Sequence, residues 1–393
     1  MNQILYLAWR YLAFHRLKTI ILLTSITLIL YLPVGLRVLV NQSSAELLER
    51  AEATPLVVGS KGSPLELVLN TLYFRSDFPE PMRYGRALEI QSSALASVVP
   101  MYVRYHSQGH PIVGTSFDYF DYRKLRVESG RLFTLLGECV LGSRVAEALN
   151  AKVGDFVISS PENFFDLAGE YPLKMPVVGI LARAESPDDD GIFVDVKTTW
   201  IIEGIGHGHQ DVSKREAASA VLSREGNRVV ANASIVQYNE ITEDNVDAFH
   251  FHGDPSEFPI TAAIAVPRDQ KSSALLQGRY QGAEQPVQVA RPSEVMGELL
   301  ETILTVESFV VAGAVIVGLA TLLVTVLVFM LSLRLRRREM ETLFKIGGSR
   351  FSVASLMASE MVFVLVTGIV LAAGLSFLTS HFGAAFVRVL IRM

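Results

Sequence analysis

Three stretches of this chain lack the alternation of apolar and polar positions that marks surface helices and half-buried strands. Residues 19–40 carry no charge before Arg37, residues 308–333 carry none, and residues 353–378 carry one acid, Glu360. About 20 apolar residues in a helix cross the roughly 30 Å of bilayer hydrocarbon. Each stretch therefore predicts one membrane-spanning helix. The first is too long for the apolar core of a cleaved signal peptide, about 7–15 residues ahead of a small-x-small site, so it reads as a retained anchor.

The intervening segments change period. In residues 1–18, Ile4, Leu5, Leu7, Ala8, Leu12 and Phe14 mix with Arg10, His15 and Arg16, which predicts a cytoplasmic helix lying in the membrane interface. Residues 43–53, rich in Ala, Leu and Glu and closed by Thr54 and Pro55, predict a helical stalk. From there to Pro267 the apolar runs shorten to LVVGSKGSP, SVVPMYVRY, HPIVGT, ECVLGS, DFVISS, MPVVGILA and GIFVDV. These are β-rich pieces bounded by Gly, Pro, Ser or Asp. Residues 144–149 and 214–223 predict helices, and an interruption at 204–209 divides the region or marks an inserted loop. Residues 292–307 predict a second helical stalk.

The expected fold is thus an α-helical transmembrane bundle of three spans with a large mixed α/β extracytoplasmic domain, residues 41–307, between spans 1 and 2. A polar loop at 334–352 joins spans 2 and 3. In the tail, 379–393, Phe382, Phe386, Val389 and Met393 share one helical face while Arg388 and Arg392 share another, which predicts an interfacial helix too short to recross the bilayer.

Composition agrees with a membrane chain: of 393 residues 50% are hydrophobic and only 19% charged, outside the range of an ordinary soluble domain. The basic residues supply orientation, because short loops rich in Lys and Arg stay cytoplasmic. Arg334, Arg336, Arg337, Arg338, Lys345 and Arg350 place the 334–352 loop inside, and Arg10, Arg16 and Lys18 place the N-terminus there too. The two assignments agree when residues 41–307 lie outside. A net charge of −5 with its basic residues gathered at the membrane gives no footprint for nucleic acid.

Candidate chemistry is sparse. No G-x-x-x-x-G-K-[ST] run is present, so the chain does not itself bind ATP in a P-loop. No nucleophile elbow appears, and no catalysis is expected. Cys139, the single cysteine, sits in an apolar context and reads as a small buried hydrophobe. Asp188, Asp189, Asp190 and Gly191 read as a solvated acidic turn. Glu360 enters a span, where an unpaired carboxylate costs a few kcal/mol, so it is expected to pair with Arg10, Arg16 or a residue of the 334–352 loop. His207 and His209, with His250 and His252 near Asp254, form two His-x-His pairs. In a strand such pairs share a face and suit Zn²⁺, although polar loops with the same residues also occur without metal.

Three sequence pieces carry a family likeness. Arg337, Arg338, Glu339, Met340, Leu343, Gly347, Gly348, Ser349 and Arg350 follow the basic pair, Glu, aliphatic, then Leu and Gly-small-Ser turn of FtsX-like permeases. HPIVGTSFDYFDYRKLRVESGRLFT, VLGSRVAEALNAKVGDFVI and MPVVGILA place Gly114, Gly130, Arg131, Phe133, Gly142, Ala146, Leu149, Gly154, Val178 and Gly179 as in the periplasmic core domain of MacB-like permeases. LVVGSKGSPLELVLNTLYF, just outside span 1, is similar to a segment in a less characterised branch. The chain thus resembles the transmembrane subunits of MacB-type and LolCDE-type ABC transporters.

That resemblance implies a multi-pass protein of the bacterial inner membrane, N-terminus cytoplasmic, paired with itself or a homologous permease and with cytoplasmic ABC ATPase subunits that bind the ATP. A periplasmic partner and membrane lipid complete the expected partners. Arg337, Arg338, Glu339, Met340, Leu343, Phe344, Gly347 and Gly348 would form the ATPase-coupling contact, since apolar Met340, Leu343, Phe344 and Ile346 at a cytoplasmic tip call for a partner or a membrane surface. The family pattern has three spans after the outer domain, whereas this sequence predicts two. The expected function is export or mechanotransmission driven by a separate ATPase. The other reading is a membrane-anchored metal-binding or sensory ectodomain without an ATPase.

Overall fold

The computed structural model describes residues 3–75, 78–160, 172–208, 221–225, 228–231, 239–282, 284–335, 341–342, 345 and 349–390. It divides into two compact units, residues 1–49 with 297–393, and residues 50–296. The chain opens with helices α1 (Gln3–Phe14) and α2 (Arg16–Glu52), then β1 (Leu56–Ser60), α3 (Pro64–Tyr73), β2 (Met82–Arg83), α4 (Tyr84–Ser92), β3 (Ala96–Ser107) and β4 (His110–Thr115). It continues through α5 (Phe117–Arg123), β5 (Val127–Gly130), β6 (Cys139–Leu141), α6 (Ser143–Leu149), β7 (Phe156–Ile158), β8 (Lys174–Leu181), β9 (Ile192–Asp195) and α7 (Val196–Ile202). After β10 (Gly206–Gly208), β11 (Val221–Glu225), β12 (Arg228–Ala231), β13 (Phe249–Phe251), β14 (Pro259–Ile260) and β15 (Ala262–Pro267) come α8 (Gln270–Tyr280), β16 (Val287–Ala290), α9 (Pro292–Leu335) and α10 (Arg350–Leu390).

The unit from 50 to 296 is built on a ten-stranded mixed sheet in the order β16-β1-β15-β3-β4-β9-β6-β8-β5, with β7 also on β8. Two neighbour pairs, β4 with β9 and β6 with β8, are parallel. All seven β-rich runs read from the sequence contain strands. In β8 every second residue is buried, the period expected when one face meets the core. Strand β3, buried along most of its length, lies between β15 and β4. Gly130, at φ +76°, pairs with Gly179. A Cβ on Gly179 would lie 2.1 Å from the Arg131 carbonyl oxygen and one on Gly130 would lie 2.1 Å from that of Val178, so only glycine admits this approach.

Two sequence expectations change. The helix read over 214–223 ends on described residues 221–223, and these belong to strand β11, paired with β12; β-branched Val221, Val229 and Val230 suit a ladder better than a helix turn. The acidic turn is not solvated. Asp188 and Asp189 are buried in a single 3-10 turn, Pro187–Asp190, capped by Ser186. Arg50, in the last turn of α2, donates to Asp188 Oδ2 at 2.7 Å and Oδ1 at 2.9 Å, and to Tyr119 Oη at 3.0 Å. Tyr119 itself donates to Asp188 at 2.5 Å, and Arg144 grips Asp190 at 2.9 and 3.0 Å. Burial alone would raise the Asp188 carboxyl; the Arg50 charge and the hydrogen bonds from Arg50 and Tyr119 overcome it and hold it at about 2.

Among the described residues, three helices are long and apolar enough to cross a membrane: Arg16–Glu52, Pro292–Val324 and Ala358–Phe382. Phe309, Ile316, Leu323, Val370 and Phe377 are exposed along them, a surface that calls for lipid or protein cover. Trp9 of α1 meets Phe363 of α10 edge-on with centroids 5.4 Å apart, and Leu12, Leu22 and Val364 form a small buried cluster. Gly368 admits Ile26, whose Cγ2 would stand 2.8 Å from an added Cβ, the small-residue contact common between membrane helices. Farther along, Tyr31 Oη lies 2.8 Å from Thr379 Oγ1 and Gln42 donates to the Ser380 carbonyl at 2.7 Å. Residue numbers rise together on both sides, so α2 and α10 run parallel. Helix α10 continues unbroken to Leu390, past residue 378, where the sequence predicts a span giving way to an interfacial tail; no proline interrupts the run.

Replacing Asp188 by Asn strands a buried guanidinium, and thermal unfolding of the full chain in detergent is expected to show a loss of about 3–5 kcal/mol. The paired change Arg50→Met with Asp188→Leu recovers most of it, since apolar replacement of a buried pair is often near neutral. The folded carboxyl lies below its unfolded value of about 3.9, so its contribution is complete above that pH. It is lost as pH falls from about 4 toward 2, and the Asp188→Asn variant is expected to show a shallower fall in unfolding midpoint across that window.

Candidate functional site

The residues predicted to contact an ATPase, Arg337, Arg338, Glu339, Met340, Leu343, Phe344, Gly347 and Gly348, lie outside the described residues, as does His209. Glu360 is described and buried, 4% exposed. It is one turn before Phe363 and Val364 on α10, the residues that meet α1 and α2. Spacings of three and four put all three on one helical face.

The other predicted cluster is assembled by a two-stranded ribbon. Strands β10 and β13 pair antiparallel, with Gly206 opposite Phe251, His207 opposite His250 and Gly208 opposite Phe249. The backbone N–H of His252 donates to the Ile205 carbonyl at 3.4 Å, which carries the pairing one residue further. Because side chains alternate in a strand, His207, His250 and His252 occupy one face of the ribbon. Gly206, Gly208, Phe249 and Phe251 occupy the other.

The aromatic face is seated on the core. Phe251 lies edge-on to Trp200 at 6.2 Å and beside Phe258 at 6.0 Å. Trp200, 2% exposed, is fixed by a hydrogen bond from Nε1 to the Pro259 carbonyl at 2.7 Å. The glycines make room for the rings: an added Cβ at 206 would lie 2.6 Å from Phe251, and one at 208 would lie 2.5 Å from Phe249. The Gly-His-Gly and Phe-His-Phe-His patterns are therefore two halves of one device, in which a ring covers the empty side of each glycine.

On the opposite face the three imidazoles are grouped with centroids 4.9–5.0 Å apart, and one ring nitrogen from each lies within 4.8 Å of the others. His207 and His250 are half-buried and His252 is exposed. His250 Nδ1 lies 3.2 Å from the Ala248 carbonyl oxygen. A carbonyl only accepts, so Nδ1 carries the hydrogen and, in the neutral ring, Nε2 carries the lone pair. The i, i+2 histidine spacing was legible in the sequence. The supporting Phe249, Phe251, Gly206, Gly208 and Trp200 were not singled out, though alternation of Phe with His was the available signal.

Elsewhere in the unit Cys139 is fully buried, and burial followed by the Glu138 charge pushes its thiol up, which keeps it protonated and inert.

A chain that combines a mixed α/β unit with a second unit of long apolar helices fits the class of membrane proteins that carry a large folded domain. The family model for the MacB-like periplasmic core domain matches residues 20–237, more than half of the 393 residues. The chain belongs to this family, that of the MacB-like and FtsX-like ABC transporter permeases. Similar solved structures include the periplasmic region of MacB from Actinobacillus actinomycetemcomitans, 13% identical, covering 65% of this chain and 97% of that one with a TM-score of 0.34. Another is the extracellular domain of the noncanonic ABC-type transporter YknZ from Gram-positive bacteria, 14% identical, covering 60% and 98% with a TM-score of 0.32. No curated protein matches. The assignment rests on the family model.

The Gly208→Val variant forces the Phe249 ring off the strand, an overpacking that costs about 1–3 kcal/mol. Hydrogen–deuterium exchange of the full chain is expected to show faster exchange confined to β10 and β13.

Proposed function

We propose that this chain is the permease subunit of an ABC transporter of the bacterial inner membrane. It pairs with itself or a homologous permease, and a separate cytoplasmic ATPase moves it. The observation that carries the reading is the union of a MacB-like domain with three exposed apolar helices of spanning length. The parallel course of α2 and α10 supports the proposed topology. If both cross the membrane in one direction, the start of α2 and the start of α10 face the same compartment, and the basic residues at those starts make it the cytoplasm. Residues 50–296 then lie outside.

In this reading, nucleotide-driven closure of the ATPases shifts the 334–352 loop and the helices it joins. Helix α9 (Pro292–Leu335) is unbroken, so a movement of it is delivered as a rigid element, whereas Pro33 inside α2 (Arg16–Glu52) gives that helix a point of bending. The outcome is extrusion of cargo from the outer leaflet or periplasm, or transmission of force to an envelope partner.

The double variant Leu343→Asp, Phe344→Asp is expected to lower co-purification of the ATPase subunit at least tenfold with the permease still inserted. Unchanged co-purification overturns the coupling role. Compartment-specific labelling of cysteines placed at Arg337 and at the exposed Glu128 is expected to find them on opposite sides of the membrane. Finding both on one side overturns the topology.

A further inference from the structure

We propose that the histidine face of the β10–β13 ribbon is a metal site in which His207, His250 and His252 bind one Zn²⁺ ion. Four observations carry this. First, one ring nitrogen of each histidine falls within 4.8 Å of the others. Zn–N bonds of about 2.0–2.1 Å at tetrahedral angles set nitrogens about 3.3 Å apart. The remaining closure, about 1.5 Å at most on that basis, lies within the reach of small rotations about the imidazole side-chain bonds.

Second, the donor set is chemically selective. Three imidazoles suit Zn²⁺ and its late first-row neighbours, whereas Mg²⁺ and Ca²⁺ take oxygen ligands. Third, His250 already has the outer contact typical of a metal-bound histidine. Its Nδ1–H donates to the Ala248 carbonyl, which orients the ring and sets the tautomer in which Nε2 is the ligating atom. Fourth, the ribbon holds the cluster from behind: Phe251 on Trp200 and Phe258, and the two glycines beneath the Phe rings, fix the opposite face. A face of three histidines is what remains when every other position of the ribbon is given to packing. With three protein ligands the fourth tetrahedral position is left to water or to a further ligand.

The site has a structural consequence. His207 precedes the long excursion between Gly208 and Phe249, while His250 and His252 follow it. An ion shared by them ties the neck of that excursion, where β10 and β13 are joined by three ladder pairs and the His252 to Ile205 hydrogen bond. Closing a long loop by a cross-link gains more than closing a short one, since the entropy of closure grows with loop length.

The inference stands apart from the transport reading, and its test involves neither ATP nor transport. The full chain, purified in detergent and stripped of metal, is titrated with Co²⁺ followed by visible absorption, then with Zn²⁺ in competition. One equivalent of Co²⁺ is expected, with the intense d–d bands of a four-coordinate ion, displaced by one equivalent of Zn²⁺. Loss of a contact to the outer side of a ligand weakens metal sites about 10–100-fold, so removing two ligands in His207→Ala, His250→Ala is expected to weaken binding by more than about 100-fold. The separate His252→Gln variant, polar and of similar length, weakens it without a cavity on the packed face. His110→Ala, on β4, leaves it unchanged. Zn²⁺ is also expected to slow amide exchange at β10 and β13 in the wild-type chain and not in the double variant. Absence of a stoichiometric Co²⁺ signal, or equal affinity in wild type and the His207, His250 variant, overturns the proposal.

Discussion

The ion pair between Arg50 and Asp188 is the constraint on which the α/β unit depends. Both side chains are more than nine-tenths buried, and a buried charge is tolerated only when its partner and hydrogen bonds are complete. That requirement gathers distant parts of the chain. The last turn of α2 supplies Arg50, α3 the Leu72 carbonyl that also accepts from it, α5 Tyr119, and the turn before β9 supplies Asp188. Arg144 of α6 holds the neighbouring Asp190. Three helices and one turn are fastened around two charges, and none of them can shift without exposing or orphaning the pair; α6 is tied to the same turn through Asp190.

The order of the sheet follows the same logic of satisfying one requirement with several segments. Strands β1, β15 and β16 pair on one side of β3, so residues near both ends of the unit meet in adjacent strands. The α/β unit is therefore closed by its own termini, Arg50 at one end and Met296, fully buried, at the other. In the helical unit the corresponding economy is the parallel seam of α2 and α10, in which Gly368 removes the side chain that would keep Ile26 away.

Much of this was legible in the sequence, because long apolar helices and strands announce themselves locally. Residues 19–40, 308–333 and 353–378 needed only length and the near-absence of charge, one charged residue at most in each. The strands needed β-branched runs between turn residues, as in MPVVGILA. What failed was everything decided by a distant partner. Asp188 to Asp190 looked like a solvated turn because its cation lies 138 residues away; no local pattern separates a buried carboxylate from a wet one. Residues 221–223 carry a helix-compatible composition, and only their pairing with β12 makes them strand. The histidines were readable as two pairs, but which faced which was set by the register of His207 on His250. That register is fixed by Phe249 and Phe251 seeking the core, and hydrophobic burial of this kind shows only when the two strands are side by side.

Cys139 has a practical meaning for anyone wishing to watch this protein move. It is the only thiol in the chain, and the fold keeps it sealed within β6 and out of reach of reagents. The wild-type molecule therefore already serves as a cysteine-free background. Spin labels or paired fluorophores can be attached at chosen positions on the helices and on the sheet without first removing a native side chain from the core.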